Sequence, residues 1–120
     1  MGTHSDFTTG TLSSTANTET KVGTINVQAG ATLKQIVVAN RTFLGTIYAV
    51  RIDYAGIKTP KKWILPALYE ATGTEVEYVN AWNVEPIKVN IKLPNNVSTI
   101  DVYATADTAS VKAAVGLVWV

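Results

Sequence analysis

The pattern of polar and apolar residues changes near residue 21. Before that point serine and threonine dominate, and Phe7 and Leu12 are the sizeable apolar side chains after the first methionine. From Val22 onward, short stretches alternate between apolar and polar residues with a period of two, as β-strands do. The pattern therefore predicts a polar arm over residues 1–21 and a single folded domain over residues 22–120.

The clearest strand pattern lies between Pro86 and Leu93, where isoleucine, valine and leucine alternate with lysine and asparagine. No segment has helical periodicity with caps at its ends. About eight short strands are predicted, over residues 22–28, 33–39, 47–54, 63–69, 75–82, 86–93, 97–104 and 111–120. This spacing favours an all-β fold, a two-sheet antiparallel sandwich, with a jelly roll preferred and an immunoglobulin-like sandwich as the alternative.

The N-terminal arm contains too little apolar surface to order itself. Fixing the backbone costs about 1–2 kcal/mol per residue, whereas Phe7 and Leu12 would each return about 1.5–3 kcal/mol if fully covered. We therefore expect the arm to extend from the domain and become ordered against a neighbouring chain. In this interpretation Phe7 and Leu12 are its anchors.

Composition narrows the classes of partner. The 120 residues carry a net charge of +1 and contain no cysteine, which excludes disulfides and thiolate metal sites. So small a net charge argues against nucleic acid as a partner. No stretch approaches the roughly 18 apolar residues of a membrane span, and the N-terminus lacks a signal-peptide pattern. If Met1 is the natural start, the protein is made and kept in the cytosol until assembly.

The residues that catalysis requires are sparse. His4, the single histidine, lies in the polar arm, so neither a nucleophilic triad nor a histidine metal site is predicted. Glu75 and Glu77 would lie about 6–7 Å apart on one strand face, but Lys88 and Lys92 on the next strand would keep both ionised. We expect no enzymatic activity and no cofactor.

Two surface features could bind a partner. Lys58, Lys61 and Lys62 precede Trp63, and this mixture of basic and aromatic residues suits contact with an anion or a polymer. A solvated loop with protective charges explains the lysines equally well. Two sequons, at Asn40 and Asn96, would permit a glycan without indicating one.

In layout the chain resembles the small jelly-roll coat proteins of icosahedral viruses, with a Ser/Thr-rich arm followed by about eight strands that run to the C-terminus. Its arm departs from the basic arms typical of such coats, since no lysine or arginine precedes Lys21. The resemblance implies a structural subunit of a viral capsid or a virion-associated protein, made in the host cytoplasm, which contacts copies of itself and other structural proteins. Alternatives are a carbohydrate- or polymer-binding module that uses Tyr54, Trp63, Tyr78 and Trp82, and an extracellular filament subunit.

Overall fold

The computed structural model describes residues 2–42, 45–54, 57–58, 63–64 and 87–120, with 57–58 and 63–64 described by their backbone pairing. Within these ranges there are nine strands and no helix. The strands are β1 (His4–Thr11), β2 (Thr20–Asn26), β3 (Thr32–Asn40), β4 (Ile47–Tyr54), β5 (Ile57–Lys58), β6 (Trp63–Ile64), β7 (Ile87–Lys92), β8 (Thr99–Ala106) and β9 (Lys112–Trp119).

The strands form two antiparallel sheets. Sheet A has the order β1-β9-β3-β7, and sheet B has the order β2-β8-β4 with β5 and β6 both paired to β4. β5 pairs with residues 53–54 of β4 and β6 with residues 49–50. The predicted all-β architecture of two antiparallel sheets is confirmed.

An apolar core lies between the sheets, because alternate side chains of each strand point inward. In β9 the inward positions are Ala113, Val115, Leu117 and Trp119, all buried. The inward face of β7 is partly buried and packs against this core. Most of the predicted core positions that the structure describes are fully buried, namely Val50, Ile52, Leu93, Val102, Val115 and Leu117. Ile87, Val89 and Ile91 were predicted to be buried and are only partly so, whereas Val76 lies outside the described residues.

The N-terminal segment belongs to the sandwich, which corrects the predicted boundary between an arm over 1–21 and a domain over 22–120. β1 pairs with β9 along its whole length, from His4 opposite Trp119 to Thr11 opposite Lys112. Leu12, directly after β1, is only 4% exposed and donates its backbone N–H to Val111 O at 2.8 Å. The edge of β9 supplies backbone hydrogen bonds, so the strand needs few large apolar side chains of its own.

The loop between β1 and β2 is also fastened to its own domain. Asn17 donates its backbone N–H to Ala106 O at 2.8 Å, and the Tyr48 hydroxyl donates to Asn17 Oδ1 at 3.0 Å. Glu19 accepts a hydrogen bond from Arg51 Nε at 2.9 Å. The segment predicted as an arm therefore crosses from sheet A to sheet B along the body of the sandwich.

β1 and β2 lie unusually close where they cross from one sheet to the other. A Cβ atom at Gly10 would overlap the carbonyl oxygen of Val22 and lie 3.3 Å from its Cα atom. Because the obstacle is backbone, it cannot rotate away as a flexible side chain would. Gly10 thus sets the spacing of the two sheets at this corner.

We expect Gly10→Ala to destabilise the fold by about 1–3 kcal/mol, because the added methyl group forces the two backbones apart. Gly2→Ala is the matched control, since a Cβ atom there meets nothing within 4 Å. Urea unfolding followed by tryptophan fluorescence measures both variants. Equal stability of the two would contradict the close approach of β1 and β2.

A second prediction compares two isoleucines in the core. Ile100 on β8 is 0% exposed, whereas Ile91 on β7 is only partly buried. Ile100→Ala should lower the free energy of unfolding by about 2–5 kcal/mol, and Ile91→Ala by clearly less. The same urea titration tests the order, and a larger loss at Ile91 would mean that β7 is buried more deeply than the structure indicates.

Candidate assembly surface

Among the described strands, β1 and β7 form the two edges of sheet A. β7 carries the exposed Lys88 and Lys92, and Lys34 of the neighbouring strand donates from Nζ to Asn90 Oδ1 at 2.9 Å. Lysines on an edge strand discourage pairing with another chain, because pairing would desolvate their charges. The β7 edge is therefore protected.

The β1 edge has none of these protections. Its eight residues, HSDFTTGT, include no lysine, arginine or proline, and its pairing with β9 shows no register shift. Phe7 donates its backbone N–H to the Asp6 carboxylate at 2.8 Å rather than to β9. Because backbone direction alternates along an antiparallel strand, Ser5, Thr9 and Thr11 also direct their N–H groups away from β9.

Phe7 projects from the outer face of sheet A beside this edge. Its side chain is 67% exposed, and with Val37, Gly116 and Val118 it lines a shallow groove of about 490 Å³. Phe7 pairs with Gly116, which in turn pairs with Val37, so the residue between the two apolar side chains has no side chain of its own. The Phe7 ring therefore lies next to an apolar groove.

The outer face of sheet B carries a different cluster, centred on Arg51. The Arg51 guanidinium lies 4.1 Å from the centroid of the Tyr103 ring and forms ion pairs with Glu19 at 2.8 Å and Asp53 at 3.9 Å. The hydrogen bond to Glu19 raises the pKa of Arg51 above its already high ordinary value. This cluster holds the β1–β2 loop against sheet B, which is a structural task.

A neighbouring carboxylate on sheet B is more exposed. Asp101 accepts a hydrogen bond from Thr24 Oγ1 at 2.6 Å and lies 3.3 Å from Lys21 Nζ. The bond from Thr24, and then the contact with Lys21, hold the pKa of Asp101 below its ordinary value despite partial desolvation. Asp101 is thus ionised and paired at neutral pH.

The two residues predicted as arm anchors have different positions. Phe7 is exposed, as an anchor for a neighbouring chain must be, whereas Leu12 is buried in its own core. The prediction of Leu12 as an intermolecular anchor is therefore wrong. Its apolar side chain is covered because the chain turns between the sheets directly after β1.

The predicted basic and aromatic cluster is described only in part. The backbone of Lys58 lies opposite Asp53 and that of Trp63 opposite Val50. Both residues therefore lie beside β4, on the edge that does not pair with β8. Lys61 and Lys62 lie outside the described residues, as do Tyr78 and Trp82. Contact of this cluster with an anion or polymer stays a prediction.

The two sequons differ in accessibility. Asn40 is 2% exposed, donates from Nδ2 to Gly45 O at 2.9 Å and accepts from the Thr42 N–H at 2.8 Å. Both ends of its amide are used inside the fold, which corrects Asn40 as a glycan site. Asn96 is exposed in the turn between β7 and β8.

Of the residues considered for catalysis, His4 is described by the structure and the glutamate pair is not. His4 stacks on Trp119 with ring centroids 6.0 Å apart, while Glu75 and Glu77 lie outside the described residues. In the part of the chain that the structure describes, no three histidine or acidic side chains are grouped as a metal site would require. The same residues include no helix long and apolar enough to cross a membrane.

Comparisons of the chain with protein-family models, with curated proteins and with solved structures produced no match.

Removing the charge of Arg51 should destabilise the fold more than removing a surface charge. Arg51→Met leaves the Glu19 and Asp53 carboxylates without their cation in a largely covered site, and we expect a loss of about 1–3 kcal/mol. Lys21→Met is the control, because its pair with Asp101 is exposed and worth at most about 1 kcal/mol. Thermal unfolding at neutral pH compares them, and equal melting temperatures would contradict the structural role of Arg51.

Proposed function

We propose that this chain is a structural subunit of a self-assembling particle, a viral capsid or virion-associated protein with a jelly-roll fold. The strand order supports the jelly roll. When β5 and β6 are taken as one interrupted strand, eight strands alternate between the sheets except at the step from β4 to β5. In immunoglobulin-like sandwiches the first two strands share a sheet, as do the last two, whereas here β1 and β2, and β8 and β9, are divided between sheets.

A jelly roll by itself does not specify a function, since the fold is shared by capsid and lectin domains. The observation that carries the proposal is the unprotected β1 edge with the exposed Phe7 beside it. In a protein that acts as a monomer, an eight-residue edge without lysine or proline invites unwanted pairing. A subunit that pairs with its neighbours has a use for such an edge, so this feature favours assembly over a monomeric binding module.

The partners in this proposal are copies of the chain and other structural proteins. The protein is located in the virion after synthesis in the host cytoplasm.

The outer faces of the two sheets have different roles in this proposal. On the outer face of sheet B, Arg51 forms its ion pairs with Glu19 and Asp53 of its own chain. Sheet A presents the exposed Phe7 ring and, along β1, backbone N–H groups that point away from β9.

Phe7→Ser tests the proposal. The ring contributes little to the stability of its own domain because it is mostly exposed, so we expect the melting temperature to change by only a few degrees. Assembly should be lost or shifted to at least about tenfold higher protein concentration, since a buried Phe ring is worth about 1.5–3 kcal/mol. Light scattering measures assembly, and electron microscopy shows whether the products are closed particles of uniform size.

Val120→Ser is the matched control, since Val120 is the other exposed large apolar residue in the described part of the chain. Particles should form normally from this variant. If the unsubstituted chain stays monomeric at high concentration, the proposal is wrong. If both substitutions abolish association equally, the association is non-specific and hydrophobic rather than a specific contact of Phe7.

Deleting residues 2–20 is a poorer test than these substitutions. The deletion removes β1 and the core residue Leu12 and exposes the edge of β9. Loss of particles would then report a damaged fold. Single substitutions on the outer side of β1 leave that fold in place.

A further inference from the structure

We propose that β1 is the contact strand of the assembly. β1 of one copy pairs antiparallel with β1 of a second copy across a two-fold axis, and the two copies of sheet A become one continuous sheet, to which each copy contributes its four described strands. This inference rests on the proposed function and specifies the surface and the partner that serve it.

No strand of the described residues pairs with the outer edge of β1, so this edge can accept another extended backbone. The bond from Leu12 N–H to Val111 O shows that even-numbered residues face the β9 side, and the bond from Phe7 N–H to Asp6 shows that odd-numbered residues face away. The backbone groups of Ser5, Phe7, Thr9 and Thr11 thus point away from β9 at two-residue intervals, as an antiparallel partner requires.

The Asp6 carboxylate keeps one of these groups satisfied in the unpaired chain. It accepts the Phe7 N–H at 2.8 Å, and Phe7 is the residue whose ring stands beside the edge. On pairing, a carbonyl oxygen of the second copy would replace the carboxylate, which would then turn to water. The exchange conserves hydrogen bonds, so pairing leaves no buried polar group without a partner.

The second copy is the partner that fits this edge best. Pairing of β1 with the β7 edge of another copy would bring it against Lys88 and Lys92 and would desolvate their charges. Such head-to-tail pairing would also continue without closure into a fibre. Pairing of β1 with itself involves no cation and closes after two copies.

Phe7 covers the seam between the two copies. Its side chain lies on the outer face of sheet A, and in a two-fold pair both Phe7 rings lie on the same face of the joined sheet. Opposite and diagonal neighbours on one face are about 5 and 7–8 Å apart, within reach of aromatic rings. Each ring can therefore cover backbone of the partner strand.

The area of this contact matches a repeating assembly better than an isolated dimer. Two paired strands of eight residues bury less than the roughly 1,200–2,000 Å² of a stable standard interface. The contact should be weak in dilute solution and become stable when other contacts hold the copies together. That is the behaviour expected of a particle built from many weak contacts.

Single-cysteine crosslinking tests the pairing directly, because the chain has no cysteine of its own. Thr9→Cys places a thiol on the outer side of β1, and Asn90→Cys places one on the exposed face of β7. A bis-maleimide with a reach of about 8 Å spans opposite and diagonal positions of paired strands. With Phe7 of one copy opposite Thr9 of the other, the two Thr9 positions are diagonal neighbours, so we expect crosslinked dimers from Thr9→Cys and few from Asn90→Cys.

A second pair of variants tests the backbone bonds. Thr9→Pro removes an N–H that points away from β9, and proline is tolerated at such a position of an edge strand. Thr9→Ala keeps the N–H and removes the hydroxyl. Self-association measured by light scattering should weaken about tenfold in Thr9→Pro and little in Thr9→Ala, while both retain the melting temperature within a few degrees.

The results separate this inference from the proposed function. Uniform particles without a Thr9→Cys crosslink, or equal crosslinking at Asn90→Cys, would overturn the β1 pairing and leave the structural role intact. A strong Thr9→Cys crosslink in a chain that forms dimers but no particles would support the pairing and contradict the particle. If Thr9→Pro does not fold, the crosslinking result alone decides.

Discussion

The hydrogen bonding of β9 on both sides is the interaction on which sheet A depends. β9 lies between β1 and β3, so the last strand of the chain holds the first and the third together. Its inward side chains, from Ala113 to Trp119, also form one wall of the core. The pairs between β1 and β9 join residues more than one hundred positions apart, and such non-local pairing makes folding slow. β1 can therefore pair into sheet A only after β9, the C-terminal strand, has been synthesised.

Alternation of side chains was sufficient to predict the strands with one buried face. β8 and β9 each show apolar residues at every second position, because those positions meet the opposite sheet. β1 could not be predicted from alternation. Its inward side carries Thr8 and Gly10, where β2 approaches too closely for large side chains, so no apolar period appears in the sequence. Its order comes from backbone hydrogen bonds to β9, which any residue except proline can make.

Of the residues that form the candidate assembly surface, only Phe7 could be predicted from the sequence. Phe7 is conspicuous in a polar segment, but Val37, Gly116 and Val118 are distant in sequence and meet it through the order β1-β9-β3. Residue type was a poor guide to exposure in this region. Leu12, five residues beyond Phe7, enters the core because the strand ends there and the chain turns inward. Asn40 likewise carries a glycosylation pattern and is buried, because a turn needs both ends of its amide.

The different protection of the two edges limits how sheet A can grow. β7, with its lysines, discourages pairing, while β1 has no such charge. If β1 pairs with itself, the unprotected edge is occupied in one step, and the joined sheet ends at the β7 strand of each copy among the described strands. A closed particle needs more than one kind of contact per subunit, because a single two-fold contact yields only dimers. The remaining contacts must then come from other surfaces, such as the loops at the ends of the sandwich. In that arrangement the β1 pair is a building block, and the protected β7 edge keeps the building blocks from growing into fibres.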